Sequence, residues 1–178
     1  MNDEKCPLSF KLLRDVQVFS HIPFFAVAIM IIFMFYQALY FKQSYSAAYV
    51  LAAIFVLVVP AIASSMMYHA LPKPGPWGDA DIIQSNVCIL FLFGLLLYYW
   101  SRVGFIKSFK INACVPYLSG FLAFSISYMI GLYTIARKAY YDNPLSYHMN
   151  HIQWHVMGAM SFVLSIILLY LFLHHTYN

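Results

Sequence analysis

The chain is 178 residues long, 63% hydrophobic and 19% aromatic, with 9% charged residues, a formal net charge of +4 and a mean hydropathy of +0.74. Soluble domains are usually about 45–50% apolar and about 25% charged, so this composition has too little polar surface to face water all round, and it excludes a disordered tail, a secreted disulfide scaffold and a coiled coil. The expectation is an all-α fold, a single integral membrane domain over residues 1–178 built as a polytopic bundle of transmembrane helices.

Crossing about 30 Å of hydrocarbon as a helix takes about 20 apolar residues. Five runs meet that length, over 18–40, 46–69, 81–100, 114–136 and 149–173. The first follows Lys5, Lys11, Arg14 and Asp15, but it is too long for a signal-peptide core and no small-residue cleavage site follows it, so it reads as a retained span. The second contains Pro60, which predicts a bend about two turns before His69. Between the second and third runs, Leu71-Pro72-Lys73-Pro74-Gly75-Pro76 must be a turn, because proline removes a backbone donor and fixes φ. The third closes on Tyr98, Tyr99 and Trp100, and Tyr140 and Tyr141 precede the fifth, as in the aromatic belt of a bilayer interface.

The ten Lys and Arg residues are scattered over short loops and form no basic stripe, so they read as membrane flanks and no nucleic-acid partner is expected. Five spans place Lys5, Lys11, Arg14, Lys73, Arg137 and Lys138 on one side and Lys42, Arg102, Lys107 and Lys110 on the other, an excess that leans towards a cytoplasmic N-terminus. Cys6, Cys88 and Cys114 are widely spaced and carry no CxxC, which indicates neither a disulfide framework nor a thiolate metal site.

The same topology puts His21, His69, His148, His151 and His155, with Asp79 and Asp81, on the side of the N-terminus, and His174 and His175 on the other. Ionisable groups at membrane depth are costly and tend to mark a site in a bundle interior. His151 and His155 are four residues apart and share a helix face, a separation at which two imidazoles can hold one metal ion. Ser65 precedes His69 by the same interval, and Asp81 opens the third span. Three imidazoles from two helices with a hydroxyl and a carboxylate beside them match a catalytic zinc site, which uses three protein ligands and leaves a fourth position for water. Each part taken singly has a structural use: His21 or His69 as an interfacial anchor, Ser64 and Ser65 bonding back to their own helix, Asp79 or Asp81 capping the third span.

The blocks Ser65-Met66-Met67-Tyr68-His69, an acid opening the next helix, and His151-Ile152-Gln153-Trp154-His155 resemble the SxxxH, D and HxxxH motifs of the CREST superfamily. That group comprises the alkaline ceramidases, the progestin and adipoQ receptors, the Per-type GPI-anchor remodelling proteins, the SID-type RNA channels and the myomaker branch. The HxxWH form is most similar to alkaline ceramidase, whereas Tyr68-His69-Ala70 and residues 159–164 look more like the myomaker branch. The likeness covers about 64–86 and 147–165, roughly a quarter of the chain. It implies His69, His151 and His155 as zinc ligands and Ser65 and Asp81 as catalytic groups, with Asp79 as the rival acid.

The family typically has seven spans, so five implies a core shortened by two between the acid and HxxxH, which keeps the motifs on one side. Part of the usual cavity is then missing or is built by a second copy in a homo-oligomer. The acidic calcium-binding N-terminus of the ceramidases has no counterpart, since Asp3 and Glu4 stand without its tryptophan and its density of carboxylates. The function implied is zinc-dependent hydrolysis of a lipid amide or ester by an activated water, with a ceramide-like lipid or a phospholipid of the membrane as partner. Two other readings stay open: a b-type haem electron-transfer protein, because paired membrane histidines also ligate haem, and a receptor or structural member that keeps the metal without turnover.

Overall fold

The computed structural model describes residues 15–41, 44–70, 76–139 and 143–177. The residues before Asp15, with Cys6 and the basic Lys5, Lys11 and Arg14, lie outside that description, as do Lys42, the Pro-rich turn over Leu71–Gly75 and Asp142. Among the described residues there is no strand. A helical stretch over 15–19 leads through a turn into α1 (Ile22–Tyr36), which a π-helical turn at Gln37–Phe41 prolongs. Then come α2 (Tyr45–Ala70), α3 (Trp77–Val103), the short α4 (Phe105–Ile111), α5 (Cys114–Ala139) and α6 (Pro144–Tyr177).

Five helical segments are long and apolar enough to cross a membrane: Asp15–Tyr40, Tyr45–Ala70, Asp79–Val103, Cys114–Ala136 and Leu145–His175. The all-α bundle expected from composition is therefore the fold, and the chain is a multi-pass membrane protein. Large apolar side chains such as Ile29, Tyr49, Leu90 and Phe124 stand exposed on its outer faces, where acyl chains rather than water would cover them.

Helix ends differ from those expected, for local reasons. The last helix begins at Pro144, five residues before the apolar run. Asn143 accepts a hydrogen bond from the Ser146 N–H at 3.0 Å and acts as its N-cap, and proline suits the first helical position because its missing N–H would have no partner there. His151 thus lies two turns inside the helix, and Asp81, one turn inside α3, does not open it. Gly104, at φ +72°, takes the left-handed region that other residues avoid and separates α3 from α4 within the loop expected over 101–113. α2 runs unbroken through Pro60, so the expected bend does not interrupt it.

The centre of the bundle is α6, which packs against every other helix. Half of its apolar window is buried, against 17% for α3 and α5. Three inward faces position the site. On α2, Leu51, Ile54, Val58, Ile62, Ser65 and His69 are buried at the three- and four-residue spacing of one helix face. On α6, Leu173, Phe172, Leu169, Ser165, Gly158 and His155 continue one inward stripe towards the N-terminal end of the helix. On the first span, Ile31 and Val27 lead back to His21, Ser20 and Gln17. The stripes on the first span and α2 are apolar through the middle of the bundle, that on α6 is interrupted there by Ser165, and all three turn polar at the same end.

Candidate metal centre

At that shared end the rings of His21, His69, His151 and His155 pack on one another in tilted and edge-to-face contacts. Their centroids are separated by 5.3 Å (His21 to His69), 4.1 Å (His21 to His155), 5.1 Å (His69 to His155), 4.9 Å (His69 to His151) and 4.7 Å (His151 to His155). His21, His69 and His155 are buried, and one ligating nitrogen from each lies within 4.8 Å of the others, a grouping able to hold a metal ion.

Two observations test whether these residues suit a metal. The Nε2 of His155, on a residue only 2% exposed, has no hydrogen-bond partner among the described residues. A buried polar atom in that condition costs on the order of 1–3 kcal/mol unless something else satisfies it. The second is the 3.2 Å between the Nε2 atoms of His69 and His151. Two nitrogens bound tetrahedrally to zinc at about 2.0–2.1 Å stand about 3.3–3.4 Å apart, so an ion could replace the hydrogen bond that joins these two rings with little movement of either. All-nitrogen donors and an apolar surround fit zinc or another late first-row divalent metal.

The remaining members gather round the cluster. The Nδ1–H of His21 donates to the carbonyl of Gln17 at 2.9 Å, so Nε2 carries the lone pair and accepts the hydrogen of the Ser65 hydroxyl at 2.8 Å. Ser64, next along the chain, instead bonds back to the Ala61 carbonyl at 3.1 Å, as a membrane serine commonly does. Asp81 accepts from the Ser85 hydroxyl at 3.2 Å and lies near Ser65 and His21. Asp79 is exposed in the first turn of α3, so of the two rival acids Asp81 is the one at the cluster. All five residues expected from the sequence, Ser65, His69, Asp81, His151 and His155, meet at one end of the bundle.

His21 is the member that spacing did not single out. It has no histidine one turn away, and a lone histidine near a membrane interface reads as an anchor. Its one signal was its position on the same side of the membrane as the other four. The structure buries it to 1% exposure, with His155 on one face and Ser65 at its edge.

From this end a cleft runs towards the bundle centre between His21 and Phe24 of the first span, Val58 to Ser65 of α2, Ser85 to Ile89 of α3 and His155 to Phe162 of α6. The space inside it that atoms do not fill, its open mouth included, is about 560 Å³. Trp154, packed on the His151 and His155 rings at 5.7 and 5.2 Å, forms part of the wall with Met129 of α5, and Cys88 lies in it as a small apolar residue. α3 and α5 make no more than marginal contact among the described residues, and both contribute to the lining.

Of the other three histidines, His148 is half-buried one turn before His151 on α6, and His174 and His175 are exposed at the far end of that helix, away from this cluster. No family model matches the chain, and no curated protein and no solved structure matches it.

Proposed function

We propose that the chain is an intramembrane zinc-dependent lipid hydrolase, ceramidase-like in its chemistry, that cleaves a lipid amide or ester. The observation carrying this reading is the conjunction, at the head of an apolar cleft, of buried imidazoles with an unpartnered His155 Nε2 and of the Ser65 hydroxyl and Asp81 carboxylate beside them. The resemblance of the Ser65 to His69 and His151 to His155 blocks to the CREST motifs supports it. His69, His151 and His155 would hold the zinc, which when bound lowers the pKa of water towards about 7 and polarises a carbonyl.

The chain's own residues supply the rest. Asp81 has a carboxylate oxygen free of Ser85 and serves as the base for the attacking water, then returns the proton to the leaving amine or alcohol. Ser65 orients that water or donates to the developing oxyanion. Val58, Ile62, Ile89 and Phe162 exclude water from the cleft and can accept an acyl chain arriving sideways from the bilayer. The site would lie on the cytoplasmic side, following the excess of basic residues on the loops at its end of the bundle.

One observation favours a second reading, a receptor or structural protein of the same superfamily. A fourth imidazole, His21, stands where it could close the site, and structural zinc sites differ from catalytic ones by being closed. A haem protein is disfavoured, because a porphyrin needs a flat slot between opposed imidazoles and these rings pack directly on one another.

The test is to purify the protein in mild detergent, measure metal by elemental analysis with a visible spectrum of the same sample, and assay lipid amides and esters. About one zinc per chain, no Soret band, and turnover abolished by Asp81→Asn with zinc retained would establish the reading. Zinc without turnover would favour the receptor, and iron with a Soret band would overturn both.

A further inference from the structure

We infer that His21 is itself a ligand of the metal centre, so that the first span is tied to α2 and α6 through the ion. This rests on the metal reading above, though not on the hydrolase activity. Three observations carry it.

The tautomer is set correctly. Ligating histidines almost always donate the other ring N–H to a backbone carbonyl, a carboxylate or a water, which orients the ring and raises the basicity of the ligating nitrogen. His21 does this with the Gln17 carbonyl, which leaves the lone pair on Nε2, where only the Ser65 hydroxyl hydrogen meets it. That carbonyl also accepts the Ser20 hydroxyl at 2.6 Å, which fixes it in turn.

The placement is also right. The ligating nitrogen of His21 lies within 4.8 Å of those of His69 and His155, and these three buried residues form the grouping able to hold an ion. Here the set differs from the one implied by spacing, in which His151 takes the third place. His21, His69 and His155 then make three protein ligands and leave a fourth position open, while His151 stands beside them, hydrogen-bonded to His69 at 3.2 Å.

Ser65 supplies the third argument. Its one hydroxyl hydrogen is held on His21 Nε2 at 2.8 Å, and Asp81, which accepts from Ser85, stands nearby. When a metal takes the His21 lone pair, that hydrogen is free to turn towards Asp81, and the same ion gives the orphaned His155 Nε2 a partner.

The experiment uses the detergent-purified full chain with cobalt(II) in place of zinc, read by metal affinity and by the visible ligand-field spectrum. His21→Gln keeps a group able to hydrogen-bond Ser65 while removing the imidazole. It should weaken metal binding by about 100-fold or more, beyond the roughly 10–100-fold loss typical of an outer hydrogen-bond partner, and should change the cobalt spectrum. His21→Ala is the second variant, whose vacated space admits free imidazole, and imidazole should restore the wild-type spectrum. Ser65→Ala should leave that spectrum in place.

Equal affinity and an unchanged spectrum in a folded His21→Gln or His21→Ala protein would overturn the inference and leave the hydrolase reading standing. A changed spectrum in a protein that turns over no lipid would do the reverse. A wild-type chain that binds no metal would overturn both.

Discussion

The two ends of α6 carry the same pair of residues to opposite effect. His151 and His155 sit four apart and face the bundle, where they meet His69 and His21 from two other helices. His174 and His175 are adjacent, so they point about 100° apart around the helix, and both are exposed. Beneath them the far end of the core is closed by aromatic packing: Phe172 stacks on Tyr99 with centroids 6.2 Å apart and meets the edge of Trp100 at 5.7 Å. A histidine pair on a membrane helix therefore becomes a candidate site through what the facing helices bring. The pair alone does not suffice.

The largest expected effect separates the ends outright. His155→Ala removes the more buried of the two rings that α6 brings to the cluster and should abolish stoichiometric metal binding. The double variant His174→Ala/His175→Ala should bind metal as the wild type does, both measured by elemental analysis of purified protein. Metal loss in the double variant, with His155→Ala unaffected, would invert the assignment of the two ends.

Removal of the metal should come next. A chelator takes away a ligand that binds only the folded bundle, so stability falls by RT ln(1 + [L]/Kd), about 4 kcal/mol at a thousandfold excess over Kd. The expected result is a lower thermal midpoint in detergent for the wild type and no change on chelation for His155→Ala. Equal midpoints with and without chelator would show that no ion joins the three helices.

Asp81→Asn sharpens the comparison within the polar end, between residues that hold the metal and residues that act beside it. The amide is nearly isosteric and still accepts from Ser85, so the bundle and the metal should persist. Loss of the base should lower lipid turnover by about 10²–10⁴-fold, the usual worth of general acid–base catalysis. The matching change at Asp79, exposed in the first turn of α3, should leave turnover within experimental error. If Asp79→Asn proves the damaging one, the acid has been misassigned.

How much of this was legible beforehand depends on whether the signal lay along one helix or between several. The five spans came from run length, and Ser65 with His69 and His151 with His155 from spacing along single helices. A scan for apolar residues trims the polar turn carrying Ser146 and His148, and so places the start of the last helix too late, past the N-cap Asn143 and the proline at its first position. His21 was not legible in this way, because its partners are Ser65, 44 residues on, and rings on α2 and α6. Nothing local distinguishes it from an anchor.

The smallest effect belongs to the end without a metal. Phe172→Ala removes one stacked and one edge-on ring contact, each worth about 0.5–1.5 kcal/mol beyond buried area. In lipid the vacated surface can be covered by acyl chains or neighbouring side chains, so lost packing makes up most of the cost. The variant should unfold at a lower temperature while metal content and the cobalt spectrum stay those of the wild type. That result would show that the apolar end supports the bundle without setting the geometry of the histidines. A changed cobalt spectrum in Phe172→Ala would mean instead that α6 transmits its packing along its length, and that the two ends are one mechanical unit.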